Sequence, residues 1–485
     1  MALPLRMILR EGVRLVEPGD GRLVLRTPKG DITAGSDGAG LGAGLRRLAG
    51  SGATEEELVR TTLEEAGPAA LPTLLYLLKE LKQRCLLSYR VAGEQGLLLA
   101  TATPVSPFLA FAARAVDAQC SYILSRFAYL RREQDHMVVE SPLLAVPVTL
   151  HDARVGSLCW ELTTPRAPGS LAASCGGLSA DEVEALCLLF LSCGILVEVD
   201  ERGQASAEGN GALCSWEFHD LLFHTRTRIG RHQGGYGGTF RFLGRSEPLP
   251  ATKPAMSEDA IDLYRPDLEH LRRVDVPLTS ALEDRRSRRR FGDPPITLQQ
   301  LGEFLYRTAR QRKVFAKDRG ELSNRPYPNG GSVYELEIYL SIRSCRDLPE
   351  GFYHYCPREH RLYRLPSRPE TVNALLREGA NILQQRDQQQ VLLTIAARFS
   401  RVAWKYESIA YALILKNLGV LYQTMYLVAE SMGLAACALG GGNADLFAAA
   451  AGVDYYAESS VGELVLGSRP AIDASEDPNP IEAPG

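Results

Sequence analysis

The sequence predicts an α+β chain in which two small winged-helix-like modules precede one larger domain of strands and helices. Three observations carry this. A unit of strands, helices and a closing strand occurs twice ahead of Glu201. A Gly-rich stretch, "GRHQGGYGGTFRFLGRSEPLP", then interrupts the pattern. Beyond it, the alternating run "YELEIYLSI" and the apolar run "SIAYALILKNLGVLYQTMYLVAESMGL" mark a strand and a long core helix of a new domain.

In the first unit, "GRLVLRTPKG" reads as strand and turn, "ATEEELVRTTLEE" as helix, and "ALPTLLYLLKELKQRCLLSYRV" as a helix running into a strand. In the second, "FAYLRREQDHMVVESP" reads as two strands around a turn, and "LSADEVEALCLLFLSCGILVEVDE" as a helix running into a strand. Ser179 is its expected N-cap, with Glu182 completing a capping box. The expected divisions are a peptide-docking module over 1–105, a second module over 106–205, and a linker with a Gly-rich loop over 206–260. A larger domain over 261–470 and a flexible tail over 471–485, where prolines replace apolar residues, complete the chain.

Composition narrows the function. The chain has 485 residues, 45% of them hydrophobic, and a formal net charge of −4. Acidic and basic residues are close to balance in the first module, so nucleic acid is not an expected partner; a strand-like peptide at an open sheet edge suits the neutral composition better. The opening residues lack the apolar core of a signal peptide. The longest apolar candidate, Ile409 to Val428, is broken by Lys416, Asn417 and Gln423, so no membrane span is expected and the location is read as cytoplasmic. The ten cysteines include no C-x-x-C and are expected to be small buried hydrophobes, and His219 and His224 are spaced i, i+5, which does not make a helical metal pair. No metal site is expected.

Four segments could carry chemistry. In "RRSRRRF", Arg285, Ser287 and Arg289 alternate, so an extended chain turns all three to one face, the donor set a phosphate monoester takes; a solvated basic run is the plainer reading. The loop "RPYPNGGS" permits close backbone approach to a flat ligand at Gly330 and Gly331, or is simply a tight turn. Gly440 to Gly442 follow an apolar run and precede a helical stretch, where backbone N–H groups could aim at one acceptor, without the spacing of a dinucleotide fingerprint. Lys405 and Tyr406 adjoin at the entry to the long apolar helix: either a proton-transfer pair or a surface lysine beside a packing tyrosine. Thr297 is the expected N-cap of the helix "LQQLGEFLY".

Taken in order, "RRSRRRF", "RPYPNGGSVYELEIYL", "WKYESIAYALILKNLGVLYQTMYL" and "GLAACALGGGN" resemble the SagB-type dehydrogenases over Leu268 to Arg469. These are FMN-dependent azoline oxidases of the nitroreductase superfamily, and the longer architecture is similar to the cyanobactin-type oxidases. The resemblance implies a nitroreductase-like domain with a central antiparallel sheet, a homodimer with sites at its interface, and leader-peptide recognition by the N-terminal modules. It implies FMN as cofactor, with Arg285, Arg286, Ser287 and Arg289 on the phosphate and ribityl chain, and Arg469 near the phosphate. Pro328, Asn329, Gly330, Gly331 and Ser332 would run along the flavin ring, and Gly440 and Gly441 would face its N5 and O4. Lys405 and Tyr406 match the catalytic pair, with Tyr406, made more acidic by Lys405, as one candidate base and Lys405 as the other. The implied substrate is an azoline-containing precursor peptide, and the implied partner a cyclodehydratase. Asn329 stands where serine is usual and Glu335 where proline is usual, and Ile409 and Ala412 replace frequent arginines. A nitro- or quinone reductase using NAD(P)H, and a mainly structural subunit of a cyclodehydratase complex, are the alternative readings.

Overall fold

A computed structural model describes residues 5–28, 30–36, 41–93, 96–107, 111–232, 234–317, 319–384 and 389–471. The chain divides into two units, Met1–Gly234 and Gly235–Gly485.

The first unit is an internal repeat. Strand β1 (Arg6–Leu9) leads into a three-stranded meander of β2 (Arg14–Val16), β3 (Arg22–Thr27) and β4 (Gly30–Ser36). Helices α1 (Gly42–Ala49), α2 (Glu55–Ala66) and α3 (Leu71–Gln83) follow, and β5 (Leu87–Ala92) returns antiparallel to β1. After β6 (Leu98–Ala102) the order recurs: β7 (Tyr122–Leu124), a meander of β8 (Tyr129–Glu133), β9 (His136–Ser141) and β10 (Leu144–Leu150), helices α4 (Ala153–Glu161), α5 (Pro168–Ser174) and α6 (Ala180–Ser192), then β11 (Leu196–Glu198) antiparallel to β7. Each first strand also bridges the turn between the first two helices, Met7 to Ala53 in one copy and Tyr122 to Arg166 in the other. The cap at Ser179 forms the expected box with Glu182, and Thr54 with Glu57 does the same for α2.

The copies are not separate bodies. β6 pairs with β10, which joins them in one six-stranded sheet, order β1-β5-β6-β10-β9-β8, over one shared core. Nor is the stretch after Glu201 a linker. Helices α7 (Ser206–Gly209) and α8 (Phe218–Arg226) fold back onto the second repeat. The buried Glu208 accepts hydrogen bonds from Ser125 Oγ and the Arg126 amide, and Arg226 pairs with the buried Glu140. These polar anchors lie too far apart in sequence for local patterning to reveal them. Residues 235–260 belong to the second unit. Cys187 and Cys193 are fully buried thiols, as expected. The expected tail lies, from residue 472 onward, outside the described residues.

The second unit is built on a seven-stranded antiparallel sheet. Its strands are β12 (Ala260–Asp262), β15 (Leu336–Ile342), β16 (Gly351–Cys356), β17 (Arg361–Leu365), β18 (Val391–Arg398), β19 (Leu434–Leu439) and β20 (Glu458–Ser468), in the order β12-β17-β16-β15-β18-β20-β19. A hairpin of β13 (Lys313–Lys317) and β14 (Gly320–Asn324) stands apart. Helices α9 (Leu268–Val274) and α10 (Leu278–Asp284) lead into α11 (Leu298–Ala309), capped by Thr297 as expected. Alternation along the strands splits the core. Leu336, Ile338 and Leu340 face α11 and the long α14 (Ala410–Ser431), preceded by the short α13 (Phe399–Ala403). Tyr339, Leu392 and Ala396 face α12 (Pro369–Ile382) and α15 (Ala444–Ala451). Among the described residues α14 is long and apolar enough to cross a membrane by length and composition alone, which the sequence reading did not expect. One stripe of it, Ile414, Leu421 and Met425, is at most 1% exposed against the sheet.

His360, at 2% exposure, links two parts of this unit: its Nδ1 lies 3.0 Å from the Tyr355 hydroxyl and its Nε2 2.9 Å from the Tyr264 carbonyl. Burial, reinforced by Arg265 and Arg310 against the pull of that carbonyl, holds its pKa down from 6.5 to about 4. The unfolded chain therefore takes up a proton below pH 6.5 that the folded form refuses until about pH 4. This contribution to stability is complete above pH 6.5 and is lost as the pH falls. The urea midpoint of the second unit is expected to drop between pH 7 and 5, and His360→Asn to flatten that slope; an unchanged slope in the variant would remove His360 as its source.

Candidate active site

The sequence-predicted residues gather on two flanks of α14. Tyr422, Tyr426 and Glu430 recur at four-residue intervals and form one flank. Asn417 lies about 180° round the helix from Tyr426 and about 13 Å along it.

The first flank collects the basic segment. The chain leaves α10 at Arg285 with extended backbone angles and runs to Phe291 outside any helix or strand, and the Arg288 amide bonds to the Ala436 carbonyl at 3.0 Å. Ser287 Oγ lies 3.0 Å from the Tyr426 hydroxyl, which also accepts from the Ala438 amide at 2.7 Å. The Arg285 guanidinium stacks 5.1 Å from the Tyr426 ring centre, and Arg289 Nη1 lies 3.5 Å from the Ser287 carbonyl. Arg286 is exposed. Arg469 sits here too, 2.8 Å from Glu430, with Arg288 3.8 Å from the same carboxylate. Gly440 and Gly441 follow β19 directly and are exposed. A side chain on Gly442 would strike Glu463, and one on Gly462 would strike the Tyr422 hydroxyl. Burial raises the pKa of Glu463, against the hydrogen bond it takes from Ser460.

The second flank collects the Pro/Gly loop and the lysine–tyrosine pair. Gly331 and Ser332 take left-handed φ values of 65° and 58°, turning the loop back sharply after Pro328 and Asn329. Its Gly330 amide donates to Asn417 Oδ1 at 2.9 Å. Lys405 Nζ donates to the Gly331 carbonyl at 3.0 Å, and a side chain at Gly331 would collide with both the Tyr406 hydroxyl and the Lys405 amine. The pair therefore sits directly over the glycine that was expected to line a flat ligand. Burial raises the Tyr406 pKa, the reverse of the acidification expected from its neighbour. Lys405 Nζ lies 5.3 Å from the Tyr406 ring centre and bonds to the loop carbonyl.

The Gly-rich stretch from Gly235 to Ser246 is an ordered strap over this pair. Gly237 and Glu407 exchange backbone hydrogen bonds, the Phe240 amide donates to the Lys405 carbonyl at 3.2 Å, and Trp404 Nε1 donates to the Ser246 carbonyl at 2.8 Å. Glu407 Oε2 accepts from Thr239 Oγ1 at 2.9 Å, which commits that carboxylate to the strap. Phe240, at a strained φ of 53°, presents its ring 5.9 Å from Lys405 Nζ. Behind the pair, Arg401 bonds to the carbonyls of Val333, Leu249 and Glu321, and burial lowers its pKa to about 10. Asn417, Tyr426, Glu430 and Phe240 were not singled out as site residues from sequence. The available signal was polarity inside an apolar helix, which Asn417 and Glu430 both show.

Comparison with known proteins finds a family match in each unit. Residues 122–233 match the family model of the cyanobactin oxidase ThcOx, and residues 282–468 match that of the nitroreductase family. A nitroreductase-like protein of Methanocaldococcus jannaschii is 29% identical over 38% of this chain and 85% of its own length. The microcin B17-processing protein McbC of Escherichia coli is 29% identical over 23% of this chain and 42% of its own length. A solved Escherichia coli microcin synthetase complex, McbBCD with truncated pro-MccB17 bound, includes a chain that is 19% identical, with 52% of this chain and 94% of that one covered and a TM-score of 0.33. A region similar to the cyanobactin oxidase ThcOx thus stands ahead of a nitroreductase-family domain in the same chain.

Proposed function

We propose that this chain is an FMN-dependent dehydrogenase that oxidises thiazolines or oxazolines in a precursor peptide to the aromatic thiazoles or oxazoles. The observation that carries this is the Lys405–Tyr406 pair seated on Gly331, where the missing side chain lets the amine and the phenol close on the loop backbone together. Arg285, Ser287 and Arg289 suit the phosphate of FMN: two guanidinium groups and a hydroxyl reach one stretch of chain beside Tyr426. Arg469 is already ion-paired with Glu430, so it serves that end of the site through the pair. The two flanks of α14 face apart, so one chain does not close both around a single ligand. The outer face of α14, with Tyr411 46% and Leu415 38% exposed, and the neighbouring Leu278 and Leu282, 67% and 46% exposed, suit a second copy that brings its loop to the first copy's basic segment. A homodimer with two interfacial sites follows.

Aromatising an azoline removes an acidic proton from the carbon that bears the peptide carbonyl and a hydride equivalent from the neighbouring ring carbon. When bound, FMN supplies the two-electron acceptor. Lys405 takes the proton, and its hydrogen bond to the Gly331 carbonyl sets where the amine sits. Burial keeps Tyr406 a phenol, so it donates a hydrogen bond to the peptide carbonyl and stabilises charge that develops as the proton leaves. The strap excludes water from one side. The first unit docks the leader peptide, with β8 at the open edge of its sheet as the site of strand addition, and a cyclodehydratase supplies the azoline.

Three measurements test this. The purified protein is expected to bind about one FMN per chain, and Arg285→Ala or Arg289→Ala to weaken that binding about tenfold to a hundredfold; a wild type that cannot be loaded with FMN overturns the reading. Lys405→Ala is expected to retain flavin and lose azoline oxidation by about 10²- to 10⁴-fold, followed as loss of two hydrogens per ring by mass spectrometry. Tyr406→Phe is expected to lose less. Near wild-type rates in both would make the pair structural. Charge reversal along β8 by Arg131→Glu with Arg132→Glu is expected to weaken leader-peptide binding while sparing FMN content, and unchanged peptide affinity would move the docking site off that edge.

A further inference from the structure

The two positions at which the Pro/Gly loop departs from the usual pattern, Asn329 and Glu335, are hydrogen-bonded to each other in a bridge that ends on Asn417. Glu335 is 0% exposed. Its Oε2 accepts from Asn329 Nδ2 at 2.9 Å, and its Oε1 from Asn417 Nδ2 at 2.8 Å. Each asparagine then turns its oxygen to the loop backbone: Asn329 Oδ1 accepts from the Tyr334 amide and Asn417 Oδ1 from the Gly330 amide, both at 2.9 Å. Backbone amides only donate, so both asparagine oxygens are committed and both NH₂ groups must face Glu335. Position 335 must therefore offer an acceptor on each of its two oxygens, which a carboxylate does and a carboxamide does not.

We infer that Glu335 is a positioning residue, whose carboxylate, shared between Asn329 and Asn417, fixes the Pro328–Ser332 loop against α14 and through it the Gly331 carbonyl on which Lys405 rests. The inference deepens the proposed function, because that loop is the one assigned there to the flavin ring. Burial raises the Glu335 pKa, and the bonds from Asn417 and Asn329, with its own backbone amide and the Arg325 charge, work against that rise. A carboxamide at 335 would set its NH₂ against one asparagine NH₂. That asparagine would have to flip and would lose either Gly330 or Tyr334.

The bridge has a rescue that a purely steric role lacks. In the double variant Glu335→Gln/Asn417→Asp, acid and amide exchange places. The new carboxylate at 417 keeps the Gly330 amide on one oxygen and accepts the new NH₂ at 335 on the other, and the new amide oxygen accepts from Asn329. Hydrogen–deuterium exchange over residues 326–336 of the full chain, without added cofactor, reads the loop directly. Glu335→Gln is expected to lower protection of this segment about ten- to hundredfold and weaken FMN binding, measured by fluorescence quenching, by a similar factor. The double variant is expected to recover both to within about threefold. Unchanged exchange in Glu335→Gln, or a double variant no better than the single, overturns the inference. Should Glu335→Gln not fold, Asn417→Asp alone sets two carboxylates face to face, and its exchange compared with the double variant decides the same question. A wild-type chain that binds no FMN sinks the proposed function and leaves the exchange comparison standing.

Discussion

The second unit depends on one helix being held in two opposite directions. The buried stripe of α14, Ile414, Leu418, Leu421 and Met425, fixes its rotation against the sheet. Once that rotation is set, Asn417 must point to one side and Tyr422, Tyr426 and Glu430 to the other. Burying that stripe stabilises the unit by roughly 1.5–3 kcal/mol per large side chain, far more than any one polar contact on the flanks supplies. The polar residues therefore take up positions that packing has already dictated. A rotation of one residue would pull Asn417 off the Pro/Gly loop and Tyr426 off Ser287 together.

Much of this was legible in the sequence, and the part that was not has a physical cause. The capped helices at Ser179 and Thr297, the alternating strand from Leu336 and the apolar run of α14 all express a local rule of spacing or capping, and all formed where that rule placed them. The repeat was visible because both copies keep the same order of elements. Its fusion into one sheet was not, since β6 and β10 meet across long sequence separation. The folding back of residues 206–226 hangs on Glu208 and Arg226, whose partners Ser125 and Glu140 give no local signal. The role of Asn417 was hidden for a different reason: in a sequence it reads only as a break in an apolar run, while its meaning lies in what stands opposite.

The strap shows how glycine content and function connect. Gly235 has no room for a side chain because Glu407 occupies it, and Gly237 pairs with Glu407 through its backbone at a φ of 85°. These glycines bring a second backbone within hydrogen-bond reach of the lysine–tyrosine segment. The strained Phe240 then places an aromatic ring near Lys405, with Arg319 4.6 Å from the same ring. Strain of this kind persists only where the surroundings over-determine it, and here three backbone hydrogen bonds do so.

That geometry also bears on how the proton work is divided between neighbours. A phenol raised in pKa by burial is a poor base at neutral pH but a good donor, and its hydroxyl reaches the space left empty at Gly331. Lys405 is anchored by one N–H to a carbonyl that is itself set by the loop, so its remaining valences are directed rather than free to swing. The anchor is only as firm as the loop, and the loop is tied down through Asn329, Glu335 and Asn417 to the long helix α14. A chain of acceptors and donors thus runs from the buried stripe of α14 to the amine. Precision at the reacting end comes from burial at the other, because a buried carboxylate with two fixed donors has no alternative partner to turn to.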